Sequence, residues 1–258
     1  MSLRIQAGRE AGRISAFIDK TVHEAHAGGV LVGLSGGIDS AVVGALCVKA
    51  LSKDRVLAVL MPSDHTPRED LEDARMLADT WRVRREETPI SGIVDGIIGS
   101  TKAEGTRIAK ANVQARVRMV ILYYRANSLG YLVAGTGDRS EGLLGYYTKW
   151  GDGGVDLLPI AHLYKTQVRE LGMFLGIPKS VVEKPASPQL WPGQKATDEI
   201  PANYDSLDVA LHYLYDLKVR PAEAAAKARL PLRVVKKVLE MHASTEHKRK
   251  LPPSLSSA

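Results

Sequence analysis

The segment from Gly33 to Ser40, Gly-Leu-Ser-Gly-Gly-Ile-Asp-Ser, has the residue types of a phosphate-binding turn. Its two adjacent glycines let the backbone bend tightly and bring its amides close to a ligand. Ser35 and Ser40 add hydroxyl donors, and the N-terminus of a helix predicted to follow adds a favourable dipole. The spacing differs from that of the Walker and dinucleotide-binding motifs. We therefore predict an oxyanion-binding loop that contains Gly33, Ser35, Gly36, Gly37 and Ser40.

Asp39 is a carboxylate within this loop, and it would repel bound phosphates unless a divalent cation lay between them. Capping of the following helix is the alternative role for Asp39. The Ser-Gly-Gly before it and the strand predicted before that favour the metal role. Glu141, in a second glycine-rich run that begins at Gly135, could supply another carboxylate to the same cation, the alternative being an ordinary surface glutamate. Magnesium suits such a site, because it takes one or two carboxylates and completes its shell with phosphates and water.

The rest of the chain alternates between short apolar runs and amphipathic stretches, in the order strand, helix, strand, helix. The strands are predicted at Val30–Leu34, Val56–Met61, Glu87–Ile90 and Tyr131–Ala134. The helices are predicted before Gly28, at Ala41–Leu51, at Glu69–Trp81, around Val113–Tyr124 and at Thr166–Leu175. This alternation predicts an α/β fold with a doubly wound parallel sheet flanked by helices. Because such sheets bind ligands at the carboxyl ends of their strands, the two glycine-rich runs are expected to face each other.

Composition narrows the class of protein. The 258 residues are 45% hydrophobic, which allows one substantial core, and we predict a single domain over residues 1–258. The net charge of +6 fits either a mildly basic soluble protein or one whose ligands are anions such as nucleotides. Cys47 is the only cysteine, which excludes an intrachain disulfide and a thiolate metal cluster and favours a reducing, cytoplasmic setting.

Two segments are predicted to be irregular. The proline-rich stretch 184–204 lacks periodicity and is expected to be a flexible, functional loop, and the tail 252–258 is expected to fray. No apolar run approaches the ~20 residues that span a bilayer. A concentrated basic patch with interleaved aromatic residues, typical of RNA binding, is also missing. We expect neither a membrane nor a nucleic acid as partner.

The loop Gly33–Ser40 resembles that of the ATP pyrophosphatase superfamily, whose fold is called adenine nucleotide alpha hydrolase-like. Five further segments, in the same order as in the NAD synthetases, resemble that family closely: Lys110–Met119, Gly145–Pro159, Leu163–Arg169, Leu190–Gln194 and Thr245–Arg249. The resemblance implies a ligase that amidates deamido-NAD with ammonia, with ATP as co-substrate and Mg²⁺ as cofactor. The carboxylate would first be adenylylated, and NAD, AMP and pyrophosphate would be the products.

Several site residues follow from this resemblance. Because negative charge would grow at the α phosphate, Lys165 is the candidate cation there, the alternative being an ordinary solvated lysine at a helix start. By the resemblance, Asp152 would orient or deprotonate the incoming ammonia or ammonium, the alternative being a surface turn aspartate. Ser187 stands where the family usually has a threonine that contacts the phosphates. The implied ATP site contains Gly33, Ser35, Gly36, Gly37, Asp39, Ser40, Thr136, Lys165 and Ser187. The implied deamido-NAD site contains Asn112, Arg116, Lys149, Asp152, Asp156, His247 and Lys248. The implied metal ligands are Asp39 and Glu141.

The resemblance also implies a homodimer, with the helix around Val113–Tyr124 at its interface. No amidohydrolase segment precedes the phosphate loop, so free ammonia is the expected nitrogen donor, and a separate glutaminase partner remains an open alternative. Two other functions stay open from the residues alone. One is another adenylylating enzyme built on the same loop, and the other is a nucleotide-binding regulator without catalysis.

Overall fold

A parallel four-stranded sheet lies at the centre of the protein, of which the computed structural model describes residues 3–102 and 104–255. Its strands are β1 (Gly29–Gly33), β2 (Val56–Leu60), β3 (Arg84–Glu87) and β4 (Tyr131–Ala134). They are ordered β3-β2-β1-β4, and the register pairs Val30 with both Val56 and Leu132. The chain therefore winds outward from β1 in both directions, as the predicted doubly wound sheet requires.

One helix precedes β1, and further helices follow each strand. They are α1 (Ala7–Glu24), α2 (Ile38–Leu51), α3 (Arg68–Thr80), α4 (Ser91–Ser100), α5 (Arg107–Leu129), α6 (Arg139–Leu144), α7 (Lys165–Phe174), α8 (Lys179–Val182), α9 (Tyr204–Leu211), α10 (Pro221–Ala228), α11 (Leu232–Ser244) and α12 (Glu246–Arg249). Helices α2, α3 and α7 lie close to their predicted bounds, whereas α5 extends beyond the predicted Val113–Tyr124 at both ends.

The third strand is the element that the sequence placed wrongly. It was predicted at Glu87–Ile90, whereas the structure has it at Arg84–Glu87. Its four residues are all charged and mostly exposed, which an edge strand tolerates because only one of its sides pairs with a neighbour. Pro89 has no amide to donate, and Ile90 is buried just before α4. Ile90, whose apolar side chain suggested a strand, therefore belongs to the start of α4.

Apolar side chains cover both faces of the sheet. One cluster joins β1 and β2 to α1, α2, α3 and α7, and a second joins the opposite face to α4 and α5. A third cluster lies among α6, α9, α10 and α11, with Leu207, Leu211 and Val235 fully buried. This third cluster supports the segments that follow β4. Among the described residues, no helix is both long and apolar enough to cross a bilayer.

The segment between α8 and α9 is irregular except for a 3₁₀ turn at Ala196–Asp198, and its flexibility stays a prediction. It is tied to the body by hydrogen bonds such as that from Gln114 Nε2 to the Leu190 carbonyl at 2.8 Å. Beyond α12, residues 251–255 are exposed and have no regular structure. The rest of the predicted frayed tail, 256–258, lies outside the described residues.

Candidate active site

The phosphate loop connects β1 directly to α2, so it lies at the carboxyl edge of the sheet. Ser40 is buried and organises the turn: its hydroxyl accepts from the Ser35 amide at 3.1 Å and donates to the Gly37 carbonyl at 3.0 Å. Ser35 itself is exposed, and Gly37 is partly exposed, so side chains do not cover this side of the turn. The predicted cradle is open to a ligand.

Gly36 allows the loop to turn close to the start of α3. Its φ of +78° is in the left-handed region, and a Cβ at this position would collide with the Asp70 carbonyl oxygen. Asp70 is buried and accepts hydrogen bonds from Lys184 and Gln189, two residues of the irregular segment. Lys184 also contacts Asp73 at 2.5 Å and the Gly36 carbonyl at 3.5 Å. The start of α3 therefore links the phosphate loop to the segment 184–204.

Lys165 is at the centre of an acidic cluster beside this loop. Its Nζ lies 2.7 Å from Asp39 Oδ2, 2.8 Å from Glu141 Oε1 and 3.0 Å from Asp138 Oδ2. The residue is only 1% exposed, and the ring of Tyr204 lies 5.3 Å from its ammonium. Three residues predicted from the sequence, at positions 39, 141 and 165, thus meet at one point.

The charges of this cluster are unbalanced, because three carboxylates surround one ammonium. Burial raises the pKa of Asp138 to about 6 and that of Glu141 to about 8, although Lys165 acts in the opposite direction on both. Burial lowers the pKa of Lys165, but attraction to Asp138, Asp39 and Glu141 outweighs it and raises the pKa well above its ordinary value. The lysine is therefore protonated, and the cluster lacks positive charge.

The same cluster fits a divalent cation. Asp39 Oδ1 is buried and has no hydrogen-bond partner among the described residues, so it has a free acceptor for an ion. Within the described ranges, no three Asp, Glu, His or Cys side chains converge in the arrangement of a metal site built from protein ligands alone. Magnesium does not require such a set, because phosphates and water complete its shell.

A second group of predicted residues meets where α5 faces the glycine-rich segment after α6. Asn112 Oδ1 accepts from the Thr148 hydroxyl at 2.8 Å, and Arg116 Nη2 donates to the Lys149 carbonyl at 3.3 Å. Asp152 Oδ1 accepts from the Thr148 amide at 2.8 Å. Although Asp152 is exposed on one side, protein atoms around its carboxylate desolvate it and raise its pKa. Four of the residues assigned to the dinucleotide, at positions 112, 116, 149 and 152, therefore lie together.

The C-terminal helix α12 closes against the same segment. Lys248 Nζ donates to the Gly145 carbonyl at 2.7 Å and to the Tyr147 carbonyl at 2.6 Å. Burial lowers its pKa, and the nearby Asp152 carboxylate opposes that shift. Gly145 has a φ of +65°, and a Cβ there would collide with Thr245. Lys248 thus holds the backbone beside the predicted dinucleotide surface.

The remaining predicted site residues have no hydrogen bond to the Lys165 cluster among the described contacts, and some bond to other parts of the chain. The Ser187 hydroxyl donates to the Gln194 carbonyl at 2.6 Å, within its own loop. Both Asp156 oxygens are used, one by the Tyr123 hydroxyl at 2.9 Å and one by the Val133 amide at 2.7 Å. Thr136 is half-buried and His247 is exposed. Their assignments remain predictions, and the contacts of Asp156 indicate that it also anchors β4.

The sequence reasoning missed several charged residues of the site. Asp138 caps α6 with its side chain, forms a capping box with Glu141, and contacts Lys165. The Asp-x-x-Glu spacing could have indicated that cap. Arg118 is partly buried and donates to the Met61 carbonyl at 3.2 Å. Desolvation lowers its pKa to about 10 against the attraction of Asp152. Its position two residues after Arg116 gave no signal of burial.

A parallel sheet with an open, glycine-turned phosphate loop at its carboxyl edge and a lysine–carboxylate cluster beside it defines a nucleotide-binding α/β protein. The sequence model of NAD synthase matches residues 10–252, and the chain belongs to that family.

Other proteins are similar to this chain in sequence and structure over nearly its whole length. An NH3-dependent NAD⁺ synthetase of Hyperthermus butylicus is 49% identical over 95% of this chain and 89% of the relative. One of Methanocaldococcus jannaschii is 43% identical over 94% of each. Among solved structures, an NMN synthetase from Francisella tularensis is 32% identical with a TM-score of 0.87, covering 98% of this chain and all of that one. An NH3-dependent NAD synthetase from Campylobacter jejuni is 29% identical with a TM-score of 0.83 at the same coverage.

Proposed function

We propose that this protein is a ligase that amidates deamido-NAD with ammonia at the expense of ATP, giving NAD, AMP and pyrophosphate. One observation carries the assignment of the reacting centre: the Lys165 ammonium lies within 3.0 Å of Asp39, Asp138 and Glu141, next to the exposed turn of the phosphate loop. Membership in the NAD synthase family supplies the substrate class.

The reaction needs the nicotinate carboxylate to become a leaving group. One carboxylate oxygen attacks the α phosphorus, the bond to the β phosphate breaks, and pyrophosphate remains against the amides and hydroxyls of Ser35–Ser40. Ammonia then adds to the acyl carbon through its lone pair, loses a proton, and AMP departs with the bonding electrons. Lys165 stabilises the charge that develops at the α phosphate, because its ammonium stays protonated in this cluster.

Asp152 is the proposed acceptor of the proton from ammonia. Its carboxylate is held by the Thr148 amide, and Thr148 also contacts Asn112 on α5. A base whose carboxylate is oriented by a hydrogen bond suits attack on the bound acyl group. Arg116, Lys149, Asp156, His247 and Lys248 complete the proposed dinucleotide site, and Thr136 and Ser187 the proposed ATP site.

Asp39 and Glu141 would hold Mg²⁺, which would neutralise phosphate charge in this cluster. The unpartnered Asp39 oxygen and the excess of carboxylates over cations support that assignment.

We also infer a homodimer, a single domain over residues 1–258 and a cytoplasmic enzyme. For the dimer, the supporting observation is an exposed stripe on α5. Val120 is 59% exposed and Tyr124 is 70% exposed, and Arg116 lies one turn earlier on the same face. Apolar side chains so exposed suit a partner surface, and their position next to Arg116 would bring the interface close to the dinucleotide.

The direct test incubates the purified protein with Mg²⁺, ATP, ammonium and deamido-NAD, and follows AMP and NAD by chromatography. We expect equimolar AMP and NAD, and neither product when ammonium is left out. A protein that binds ATP but releases no AMP with any nicotinate substrate would support a non-catalytic regulator instead.

A mononucleotide substrate is the second candidate, favoured by the likeness to the NMN synthetase of Francisella tularensis. Nicotinate mononucleotide carries the same pyridine carboxylate, so the chemistry would not change. The same assay with this substrate measures the ratio of the two kcat/KM values. We expect the dinucleotide to be preferred, and a preference for the mononucleotide would reassign the substrate while leaving the reaction class intact.

A further inference from the structure

Asp208 is a buried carboxylate on α9, far in sequence from the phosphate loop, with no exposed surface. Its Oδ1 accepts from the Ser140 hydroxyl at 2.6 Å, and its Oδ2 accepts from the Thr166 amide at 2.8 Å. The Ser140 hydroxyl in turn accepts from the Lys165 amide at 3.0 Å. One carboxylate therefore joins the first turns of two helices, α6 and α7.

These two helix starts carry the acidic cluster. Asp138 caps α6, and Glu141 follows one turn later, whereas Lys165 is the first residue of α7. The two starts are also joined by the Lys165 side chain and by two hydrogen bonds, from the Lys165 amide to the Ser140 hydroxyl and from the Arg139 amide to the Leu163 carbonyl. Tyr204, on the same helix as Asp208, covers the Lys165 ammonium with its ring. Helix α9 thus contacts the cluster twice.

A fully buried carboxylate is costly to desolvate, and a folded core does not need one. Asp208 offsets that cost by giving a side-chain acceptor to the N-terminus of α7, whose amides lack intrahelical partners. Besides stabilising the fold, this arrangement fixes the position of a functional side chain. It fixes the backbone from which the long Lys165 side chain starts, and small displacements of a reacting group reduce rate steeply.

We propose, on the basis of the function proposed above, that Asp208 is a positioning residue that keeps Lys165 and Glu141 in register for the transfer at the α phosphate. It does not touch the substrate. It acts through the Ser140 hydroxyl and the Thr166 amide.

The test compares Asp208→Asn with Asp205→Asn. Asparagine keeps the size of the side chain but removes the charge and introduces an NH2 donor, so that either the bond from the Thr166 amide is lost or the bond to the Ser140 hydroxyl must reverse its direction. Asp205 lies one turn earlier on α9 with a 72% exposed side chain and a 3.5 Å contact to Arg169, which makes it a matched control. We expect at least a tenfold fall in kcat for Asp208→Asn with less than a threefold change in KM for ATP, and wild-type values for Asp205→Asn.

A second readout needs no turnover. Competitive acetylation followed by mass spectrometry measures how accessible the Lys165 amine is, and we expect several-fold faster labelling in Asp208→Asn than in the wild type or in Asp205→Asn.

Should Asp208→Asn fail to fold, Ser140→Ala removes the hydrogen bond between α6 and Asp208 with a smaller change, and the same two results are expected. A lower melting temperature combined with normal kcat and normal labelling would overturn the inference and leave Asp208 a stabilising residue only. If the wild type makes no amide product, the proposed function fails, whereas the labelling comparison still decides the role of Asp208.

Discussion

Lys165 is unusual among the residues of this protein because it is a lysine buried to 1% exposure. A charge without solvent requires partners, and the structure provides three carboxylates. The acidic groups outnumber the single ammonium, and burial, which raises the pKa of Asp138 and Glu141, opposes the negative charge that the three would carry together. Bound ATP would add more, and the cluster can accept it only together with further positive charge.

Replacement of Asp39 by asparagine tests this balance. The change removes one charge from the proposed Mg²⁺ ligands while keeping the size of the side chain. We expect kcat/KM for Mg-ATP to fall at least tenfold, about 1.4 kcal/mol of transition-state stabilisation. Steady-state kinetics over a range of Mg²⁺ concentrations measures it, and Asp19→Asn, an exposed position on α1, is the control. Unchanged kinetics at every Mg²⁺ concentration would remove the metal role from Asp39.

Asp152→Asn separates the two half-reactions. We expect ATP to bind normally and amide formation to slow at least tenfold, because the base is lost. The pKa of Asp152 is raised by desolvation, so its carboxylate forms at higher pH than an ordinary aspartate. In the wild type, the rate of the ammonia step should therefore rise as pH increases through this raised pKa.

Single-turnover kinetics at constant free-ammonia concentration measures that profile, and the asparagine variant should lack this rise. A variant that turns over at the wild-type rate with ammonia would eliminate Asp152 as the base.

At the scale of elements, residues with a strong local signal were placed correctly from the sequence. The apolar runs of β1 and β2 and the glycine turn before α2 determine their own positions, because parallel strands buried on both faces must be apolar. Strand β3 could not be predicted from Arg84–Glu87, since its pairing with β2 is made by backbone groups alone. The same distinction between local sequence signals and tertiary contacts applies to the site residues. Asp39 and Glu141 were proposed from their glycine-rich surroundings and Lys165 with the help of the family resemblance, whereas the contact of Asp138 with Lys165 and the bonds of Asp208 are tertiary and have no sequence spacing.

The turn at Gly36 offers an element-scale prediction. In Gly36→Ala, the left-handed φ and the collision with the Asp70 carbonyl both oppose the native turn. We expect the free energy of unfolding to fall by about 1–3 kcal/mol and ATP to bind more weakly. Urea denaturation and ATP-dependent stabilisation measure the two effects.

Gly96→Ala is the matched control, since a Cβ on that helical glycine meets nothing within 4 Å. It should stabilise α4 by about 0.5–1 kcal/mol. Equal effects of the two substitutions would show that the phosphate turn tolerates a side chain, against the proposed cradle.

At the scale of the whole molecule, the candidate site is assembled from distant parts of the chain. The phosphate loop comes from the first strand, Lys165 from the middle of the chain, and Lys248 from the last helix. The segment between α8 and α9 contacts both the phosphate-loop support at Asp70 and helix α5. Helix α5 also carries Arg116 and the exposed apolar stripe. A dimer interface on α5 would therefore hold in place the helix that contributes Arg116 to the proposed dinucleotide site.

Tyr124→Glu tests that interface. In a two-fold dimer each substitution appears twice, so two charges would be buried at an interface on the α5 stripe and would oppose association. We expect the dimer dissociation constant to rise at least tenfold, about 1.4 kcal/mol, with a fall in kcat/KM for deamido-NAD. Sedimentation velocity over a micromolar concentration series measures the first effect. Phe17→Glu, at a 46% exposed apolar position on α1, should leave assembly unchanged. A wild-type protein that is monomeric at these concentrations and still fully active would rule out the homodimer as the working form.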